Sequence, residues 1–497
     1  MTPWRKHAIH VAWCIAGLGS MLPLPAVAHS FGQVYRLPVP VWLYLYGACA
    51  ALALSFVVMV FCLTADSGRA AATPAPSGHR LRSVQPPLAR GAIGWGGAVL
   101  GIGMLGLCIA SGLFGVAGPY ANFSMTAFWI VFLLGMTYSV ALVGDIQVGL
   151  NPWLGLAETI GRFWQGFLVG RYRYPARLGY TPALGFYMAL VWLELFGPGT
   201  PFALAITLSI YTGLNLVGVW LTGARDWFRY AELFSVMFRL LALMAPLAWS
   251  HSGPAHRLRP RLRSPFAALR EIRFQRVSLL LFILFMLSST AFDGLHETQA
   301  WRRLFWVELY PNVLSGWVGT NPVAAFPVLL RWYGYWQILW LLASPFIYLA
   351  VYVVFVALMR GLVGGRRSVM ALACQFAPAL LPIALAYHLS HYYTLIQTQA
   401  IKIVPLASDP FGFGWNLFGT ADWWQRTNVP EPSTVWHVQV GVIVLGHIAG
   451  VYISHLIALD VFTTRRHAAI SQLPMLVLML AFTVAGLWIL AQPIGAS

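Results

Sequence analysis

Long apolar runs constrain this chain more than any other feature of its sequence. Residues 41–63, 368–399 and 435–459 each hold roughly twenty or more mostly apolar residues, the length that an α-helix needs to cross a bilayer. Charged residues make up only 9% of the chain, which excludes a soluble globular protein of this size. The sequence therefore predicts an all-α, polytopic helical membrane protein with about ten transmembrane helices. The predicted spans are residues 41–63, 91–118, 125–146, 180–196, 202–221, 278–292, 336–359, 368–399, 435–459 and 472–490.

The N-terminal segment has the three parts of a secretory signal peptide. Arg5 and Lys6 form a basic start, residues 8–21 are apolar, and residues 26–28 are a small-residue cleavage motif. We expect residues 1–28 to be removed, which leaves residues 29–497 as a single polytopic membrane domain. The alternative is an uncleaved first helix.

Basic residues are concentrated in alternate connecting segments, and this distribution predicts the orientation of the chain. Of the 31 Lys and Arg residues, 23 fall in segments that face the cytoplasm if the mature N-terminus is outside. We expect a multi-pass protein of a bacterial inner membrane, with both termini in the periplasm and the lipid bilayer as its main partner. The net charge of +17 needs no nucleic acid, and the sequence predicts no oligomeric state. The predicted cytoplasmic segments are 64–90, 146–179, 222–277, 360–367 and 460–471, of which 64–90 is a flexible loop. The basic segment at 222–277 is predicted to lie at the membrane interface, and its apolar part, 226–249, is not expected to cross. The predicted periplasmic loops include 293–335 and 399–434.

Two histidines in one apolar run are the first candidates for chemistry. His388 and His391 are three residues apart, so they lie about 60° apart on one helical face. Imidazoles are costly to bury in a membrane segment without partners. The pair suits two metal ligands or an acid/base pair, and the alternative is that both rings bond neighbouring helices or water.

The predicted topology places several other ionisable groups at the same, periplasmic side. Imidazole and carboxylate ligands suit zinc, iron or copper, and a bound metal could produce a hydroxide nucleophile. Without a metal, a histidine beside a carboxylate could act as a general base. The candidate catalytic residues are His388, His391, His437, Asp293 and Glu297, the candidate metal ligands are His388, His391, His437, His447 and His296, and Glu194 lies at the same end of its own span.

Other small patterns predict packing rather than chemistry. Gly446 and Gly450 are four residues apart and predict a close contact between two helices. The five cysteines all lie in apolar runs without a CxxC pair, which argues against disulfides and thiolate metal sites. Tyr392 and Tyr393 are interpreted as interface aromatics or as the wall of a pocket.

Several short stretches together are typical of one known family. They are Ala28-His29-Ser30-Phe31-Gly32, Leu37-Pro38-Val39-Pro40-Val41-Trp42-Leu43, Phe292-Asp293-Gly294-Leu295, Tyr387-His388 with His391-Tyr392, Trp436-His437-Val438-Gln439-Val440 and Gly446-His447-Ile448-Ala449-Gly450. The chain resembles the bacterial membrane proteins named fenitrothion hydrolase. This resemblance implies hydrolysis of organophosphorus triesters at the periplasmic face, with release of a nitrophenol. Such substrates are small, neutral and lipophilic, so they would reach the site from the bilayer.

A protein that handles or transports a metal, copper above all, is the alternative function. His29 would be a free N-terminal histidine after cleavage, and its amine and imidazole could chelate copper. A transport path needs polar groups across the whole bilayer, and only His447 and His455 extend inward from the periplasmic side. A structural subunit of a larger membrane complex is a third possibility.

Overall fold

The structure is a computed structural model that describes residues 40–70, 92–164, 166–252, 257–364, 367–423, 430–462 and 464–492. The predicted signal peptide, His29 and most of the predicted loop at 64–90 lie outside the described residues.

The predicted fold class is confirmed, because the described residues form an all-α bundle with a single two-stranded hairpin. In chain order the helices are α1 (Val41–Ala70), α2 (Ala92–Phe114), α3 (Phe123–Val143), α4 (Gln147–Leu150), α5 (Pro152–Phe163), α6 (Thr181–Phe196), α7 (Pro201–Thr222), α8 (Ala224–Tyr230), α9 (Leu233–Ala242), α10 (Ala267–Glu271), α11 (Val277–His296), α12 (Gln299–Arg303), α13 (Pro322–Val363), α14 (Val369–Ser408), α15 (Pro432–Val461) and α16 (Arg465–Ala491). Nine of these helices are long and apolar enough to cross a membrane: α1, α2, α3, α7, α11, α13, α14, α15 and α16.

The tenth predicted span corresponds to α6, which is shorter than the other nine. Its 16 residues extend about 24 Å at the helical rise, less than the usual thickness of about 30 Å for the hydrocarbon core. Helix α6 is apolar along its length and packs against α11. Its last residue, Phe196, contacts the last residue of α11, His296, with ring centroids 5.8 Å apart.

The basic segment at 222–277 contains short elements instead of a spanning helix. Helix α8 has seven residues and α9 has ten, and almost every residue of α9 is buried. The chain then forms a hairpin of β1 (Leu247–Ser252) and β2 (Arg257–Leu262), whose strands pair antiparallel. Neither helix is long enough to cross a bilayer. That the segment lies at the cytoplasmic surface stays a prediction.

Most of the first predicted periplasmic loop, 293–335, is helical, and α14 extends into the second, 399–434, as far as Ser408, which corrects the sequence-based boundaries of these helices. Helix α13 begins at Pro322 instead of residue 336, because Pro322 suits the first turn and the Asn321 side chain accepts hydrogen bonds from two backbone amides. Residues 304–314 form a π-helical segment after α12, and Ser315–Val318 form one further short α-helix. Hydropathy alone located the apolar centres of these helices but not their polar and aromatic ends.

Helices α11 and α14 form the interior of the bundle. In both, 72% of the most apolar 18-residue window is buried, compared with 17% for α1 and 28% for α13. Helix α11 packs against α6, α13 and α14, and α14 packs most extensively against α15. The two helices that carry His388, His391 and Asp293 are therefore surrounded by protein over most of their surface.

The predicted glycine contact is confirmed at the interface of α14 and α15. A Cβ atom on Gly446 would lie 2.2 Å from the Ala386 Cβ, and one on Gly450 would lie 2.9 Å from the Ala379 carbonyl oxygen. Larger residues would force the two helices apart. This close approach fixes the position of α14 within the bundle.

Candidate functional site

The candidate site lies where α6 and α11 end against the middle of α14. Glu194 is in the last turn of α6, and Asp293 is in the last turn of α11. On α14, His391 and Tyr392 contact the Asp293 carboxylate, and Tyr392 also contacts the Glu194 carboxylate. Three helices thus bring two acids, one imidazole and one phenol together.

His391 and Asp293 form one of the two shortest contacts of the site. The Nε2 atom of His391 lies 2.6 Å from Asp293 Oδ2, and the two side chains keep 23% and 17% of their surface accessible. An ionised carboxylate only accepts hydrogen bonds, so Nε2 carries the hydrogen of a neutral His391. The basic nitrogen is then Nδ1, as it is when a carboxylate orients a general base.

Tyr392 connects this pair to a second carboxylate. Its hydroxyl donates to Glu194 Oε1 at 2.6 Å and lies 3.5 Å from Asp293 Oδ2. The ring of Tyr392 also packs edge-on against the His391 ring, with centroids 4.7 Å apart. The predicted interface aromatic is therefore a central part of the site.

His388 lies next to the site but bonds in another direction. Its Nδ1 atom lies 3.0 Å from the Tyr138 hydroxyl on α3, and its ring centroid is 4.7 Å from that of Tyr392. The rings of His388 and His391 thus contact Tyr392 and bond different partners. These contacts fit the alternative interpretation of His388 and His391, in which both rings form hydrogen bonds to neighbouring helices.

His296 and Glu297 form a separate pair one turn beyond Asp293. The buried His296 ring stacks on Phe292, and its Nε2 atom lies 3.4 Å from Glu297 Oε1. The other Glu297 oxygen lies 3.3 Å from Arg302 Nη2. Because the Asp293 carbonyl accepts from His296 Nδ1 at 2.6 Å, this pair stabilises the backbone that carries Asp293.

The other two predicted residues lie on α15 with partners of their own. His437 is bonded by the Ser433 carbonyl at Nδ1 and by the Tyr44 hydroxyl, 3.1 Å from Nε2. His447 is 1% exposed, donates from Nδ1 to the Ile443 carbonyl, and its buried Nε2 atom has no hydrogen-bond partner among the described residues. None of these three hydrogen bonds of His437 and His447 involves the His391–Asp293 pair.

The predicted metal site was a set of converging histidines, and the structure separates them. Within the described part of the chain, no group of three or more His, Cys, Asp or Glu side chains is placed to hold a metal ion. At the site His391 and Asp293 are in direct contact, whereas the Glu194 carboxylate contacts Tyr392, and catalytic zinc usually has three protein ligands. A bound zinc, iron or copper ion therefore stays a prediction.

The predicted topology places Glu194 at this end of the bundle, but Glu194 was not among the predicted site residues. The available signal was its position, because it is the one acidic residue in the apolar run 180–196. Tyr392 and Tyr138 gave no comparable signal, since tyrosine is common near membrane interfaces. Comparison of the chain with protein-family models, with curated proteins and with solved structures finds no match.

Proposed function

We propose that this chain is a membrane-bound hydrolase in which the His391–Asp293 pair activates water. The observation that carries the proposal is the 2.6 Å contact between Nε2 and the carboxylate in two partly accessible side chains. A histidine held by a carboxylate is a recurrent general base, and such a base contributes about 10²- to 10⁴-fold to a rate. The rest of the fold stabilises the pair through α11 and α14.

The substrates we propose are neutral organophosphorus triesters of the fenitrothion type. Nδ1 of His391 takes a proton from water as the oxygen forms a bond to phosphorus, and the aryl oxide leaves with the electrons of the broken P–O bond. Asp293 stabilises the imidazolium that results. The choice of substrate follows the resemblance of the sequence, and the aromatic rings around the pair suit a lipophilic ester.

We also propose the inner membrane as the location, with both termini and the His391–Asp293 pair on the periplasmic side. The support is the distribution of basic residues. A further support is that Arg270 and Arg273, from the same basic segment, contact Asp460 at the end of α15.

The test is fenitrothion hydrolysis by purified protein, followed as release of the nitrophenol. We expect His391→Ala and Asp293→Asn each to lower the rate at least about 100-fold, because each removes the oriented base. His437→Ala is the matched control and should keep the wild-type rate, since its imidazole bonds Tyr44 instead of the pair.

Three outcomes decide the proposal. Full activity in both folded variants would remove this pair from catalysis, and no hydrolysis of any aryl triester by folded wild-type protein would remove the proposed activity. The same assay after chelation, and after addition of Zn²⁺, Fe²⁺ or Cu²⁺, tests the predicted metal. Loss on chelation with recovery by one ion would assign that metal to the reaction.

A further inference from the structure

An apolar groove lies between the last turns of α13 and the third and fourth turns of α16. Its volume is about 480 Å³, within the range of about 300–1,000 Å³ that is usual for small-molecule sites. Four of the side chains that line it keep between 48% and 56% of their surface accessible, namely Leu358, Leu362, Leu473 and Val477. The groove therefore opens to the outer surface of the bundle.

Small residues on α13 leave the room for this groove. Ala357 and Gly361 are four residues apart, so they lie on one face of the helix. A Cβ atom added to Gly361 would have no neighbour within 4 Å. All the residues that line the groove are apolar, so the part of a ligand that enters it must be hydrocarbon.

Positive charge is concentrated at one end of the groove. Arg466 precedes Leu473 by seven residues and Val477 by eleven, so each of these two lies within about 20° of Arg466 around α16. The helical rise puts Arg466 about 10 Å from Leu473 along the helix axis. Arg465 is adjacent to it, and Arg367 follows the end of α13 by four residues. All three arginines are exposed.

The charges of these arginines are not balanced by carboxylates. Arg465 and Arg466 form no ion pair in the described part of the chain. The acidic residue nearest to them in the sequence, Asp460, already contacts two other arginines. Arg367 donates to Gln375 Oε1 at 2.7 Å, and this neutral partner leaves its charge uncompensated. The first turn of α16, which begins at Arg465, also favours an anion.

We propose that this groove binds one anionic phospholipid, with an acyl chain against Ala357 and Gly361 and the phosphate at Arg465 and Arg466. A hydrocarbon groove that ends at a group of cations matches the two parts of such a lipid. A zwitterionic lipid has the same chains but no net negative charge for the arginines. The proposal is independent of the proposed hydrolysis, because the groove lies between α13 and α16 and not at the His391–Asp293 pair.

Native mass spectrometry of the full-length protein in detergent tests the proposal, with phosphatidylglycerol and phosphatidylcholine that carry the same acyl chains. We expect one phosphatidylglycerol molecule to bind at least about tenfold more tightly than phosphatidylcholine, because two arginines lie at its phosphate. Arg465→Gln combined with Arg466→Gln should remove this preference and leave the affinity for phosphatidylcholine unchanged. Arg173→Gln combined with Arg177→Gln is the matched control, since it removes the same charge from another exposed segment and should keep the preference.

Gly361→Leu tests the apolar part of the site. Its side chain would enter the open space beside Gly361, so the protein should fold while the acyl chain loses contacts. We expect the affinity for both lipids to fall about tenfold, the loss that corresponds to about two methylene groups leaving an apolar surface. Gly213→Leu on α7 is the matched control, because its side chain also enters open space and should leave both affinities unchanged.

Three results would overturn the proposal. Equal affinity of the wild type for the two lipids would show that the arginines do not select an anionic head group. An unchanged preference in the Arg465 and Arg466 variant would place the head group elsewhere. A wild-type dimer that dissociates in Gly361→Leu, with no change in lipid binding, would assign the groove to a second copy of the chain. If the arginine variant folds poorly, unchanged lipid binding by Gly361→Leu still contradicts the site.

Discussion

Asp145 is a single residue whose ionisation opposes folding. It lies two residues after the end of α3, and its Oδ1 atom is buried without a hydrogen-bond partner in the described part of the chain. Burial raises the pKa of this carboxyl group from 3.8 to about 6, although the charge of Arg239 and the backbone amide of Val148 both lower it. The folded state therefore binds this proton more tightly than the unfolded state does.

The Asp145→Asn variant should be more stable than the wild type at neutral pH but not in acid. Below pH 4 the Asp145 carboxyl group is protonated in both the folded and the unfolded state, so it costs no folding free energy. This cost grows as the pH rises to about 6 and is complete above that pH. The full penalty is at most about 3 kcal/mol. Melting temperatures in detergent at pH 4 and pH 7.5 measure it. A variant that melts below the wild type at pH 7.5 would mean that the attraction of Arg239 outweighs the cost of burial.

Glu194, which accepts from the Tyr392 hydroxyl beside the His391–Asp293 pair, leads to a prediction about leaving groups that rests on the proposed function. A nitrophenolate leaves without help from an acid, whereas an alkoxide must be protonated as its bond to phosphorus breaks. Glu194→Gln should therefore change the rate on nitrophenyl triesters less than about threefold and lower the rate on alkyl-leaving triesters about 100-fold. Rates for a series of leaving groups measure this. Equal losses across the series would show that Glu194 supplies no proton to the leaving group.

At the scale of whole elements, Glu232 joins three helices through one buried carboxylate. Its Oε1 atom accepts from the Tyr211 hydroxyl at 2.5 Å and from the Phe234 amide at 3.0 Å. Its Oε2 atom accepts from Asn151 Nδ2 at 3.2 Å and from the Ser235 amide at 2.7 Å. Glu232 is fully buried and caps the start of α9, so one side chain fixes α9 against α5 and α7.

Replacement of Glu232 by glutamine should destabilise the protein by about 2–4 kcal/mol. The glutamine NH₂ group would face two of the four donors, which leaves buried polar groups without partners. The matched control is Glu271→Gln at the exposed end of α10, which should stay within about 0.5 kcal/mol of the wild type. Thermal or denaturant unfolding in detergent compares the two. Equal effects would show that the four bonds of Glu232 add little.

The helices themselves were predictable because each spans one apolar run, and the Gly446 and Gly450 contact was predictable from their spacing. The contact of His391 with Asp293 was not, because it depends on α11 and α14 being neighbours, and hydropathy gives only the depth of a residue. The same limit applied to His437 and His447. Their predicted positions along α15 did not show that they bond Tyr44 and Ile443 instead of the His391–Asp293 pair.

At the scale of the whole molecule, charge and contacts favour one orientation of the bundle. Arg270 and Arg273 lie 3.0 and 3.3 Å from the carboxylate of Asp460, which joins the end of α15 to the segment before α11. The end of α15 and the segment before α11 were both predicted to be cytoplasmic from the distribution of Lys and Arg. The His391–Asp293 pair lies toward the opposite end of α11, so the proposed reaction and the arginine-rich segment should face different compartments.

Thiol labelling of intact cells tests this orientation. In a background without the five native cysteines, Asn312→Cys and Ser264→Cys each place one thiol at an exposed position on opposite sides of the predicted membrane. A membrane-impermeant thiol reagent should label Asn312→Cys in intact cells and Ser264→Cys only after the cells are opened. The reverse pattern would put the proposed site in the cytoplasm. Labelling of both in intact cells would mean that α11 does not separate the two segments across the bilayer, and the count of spans would then have to change.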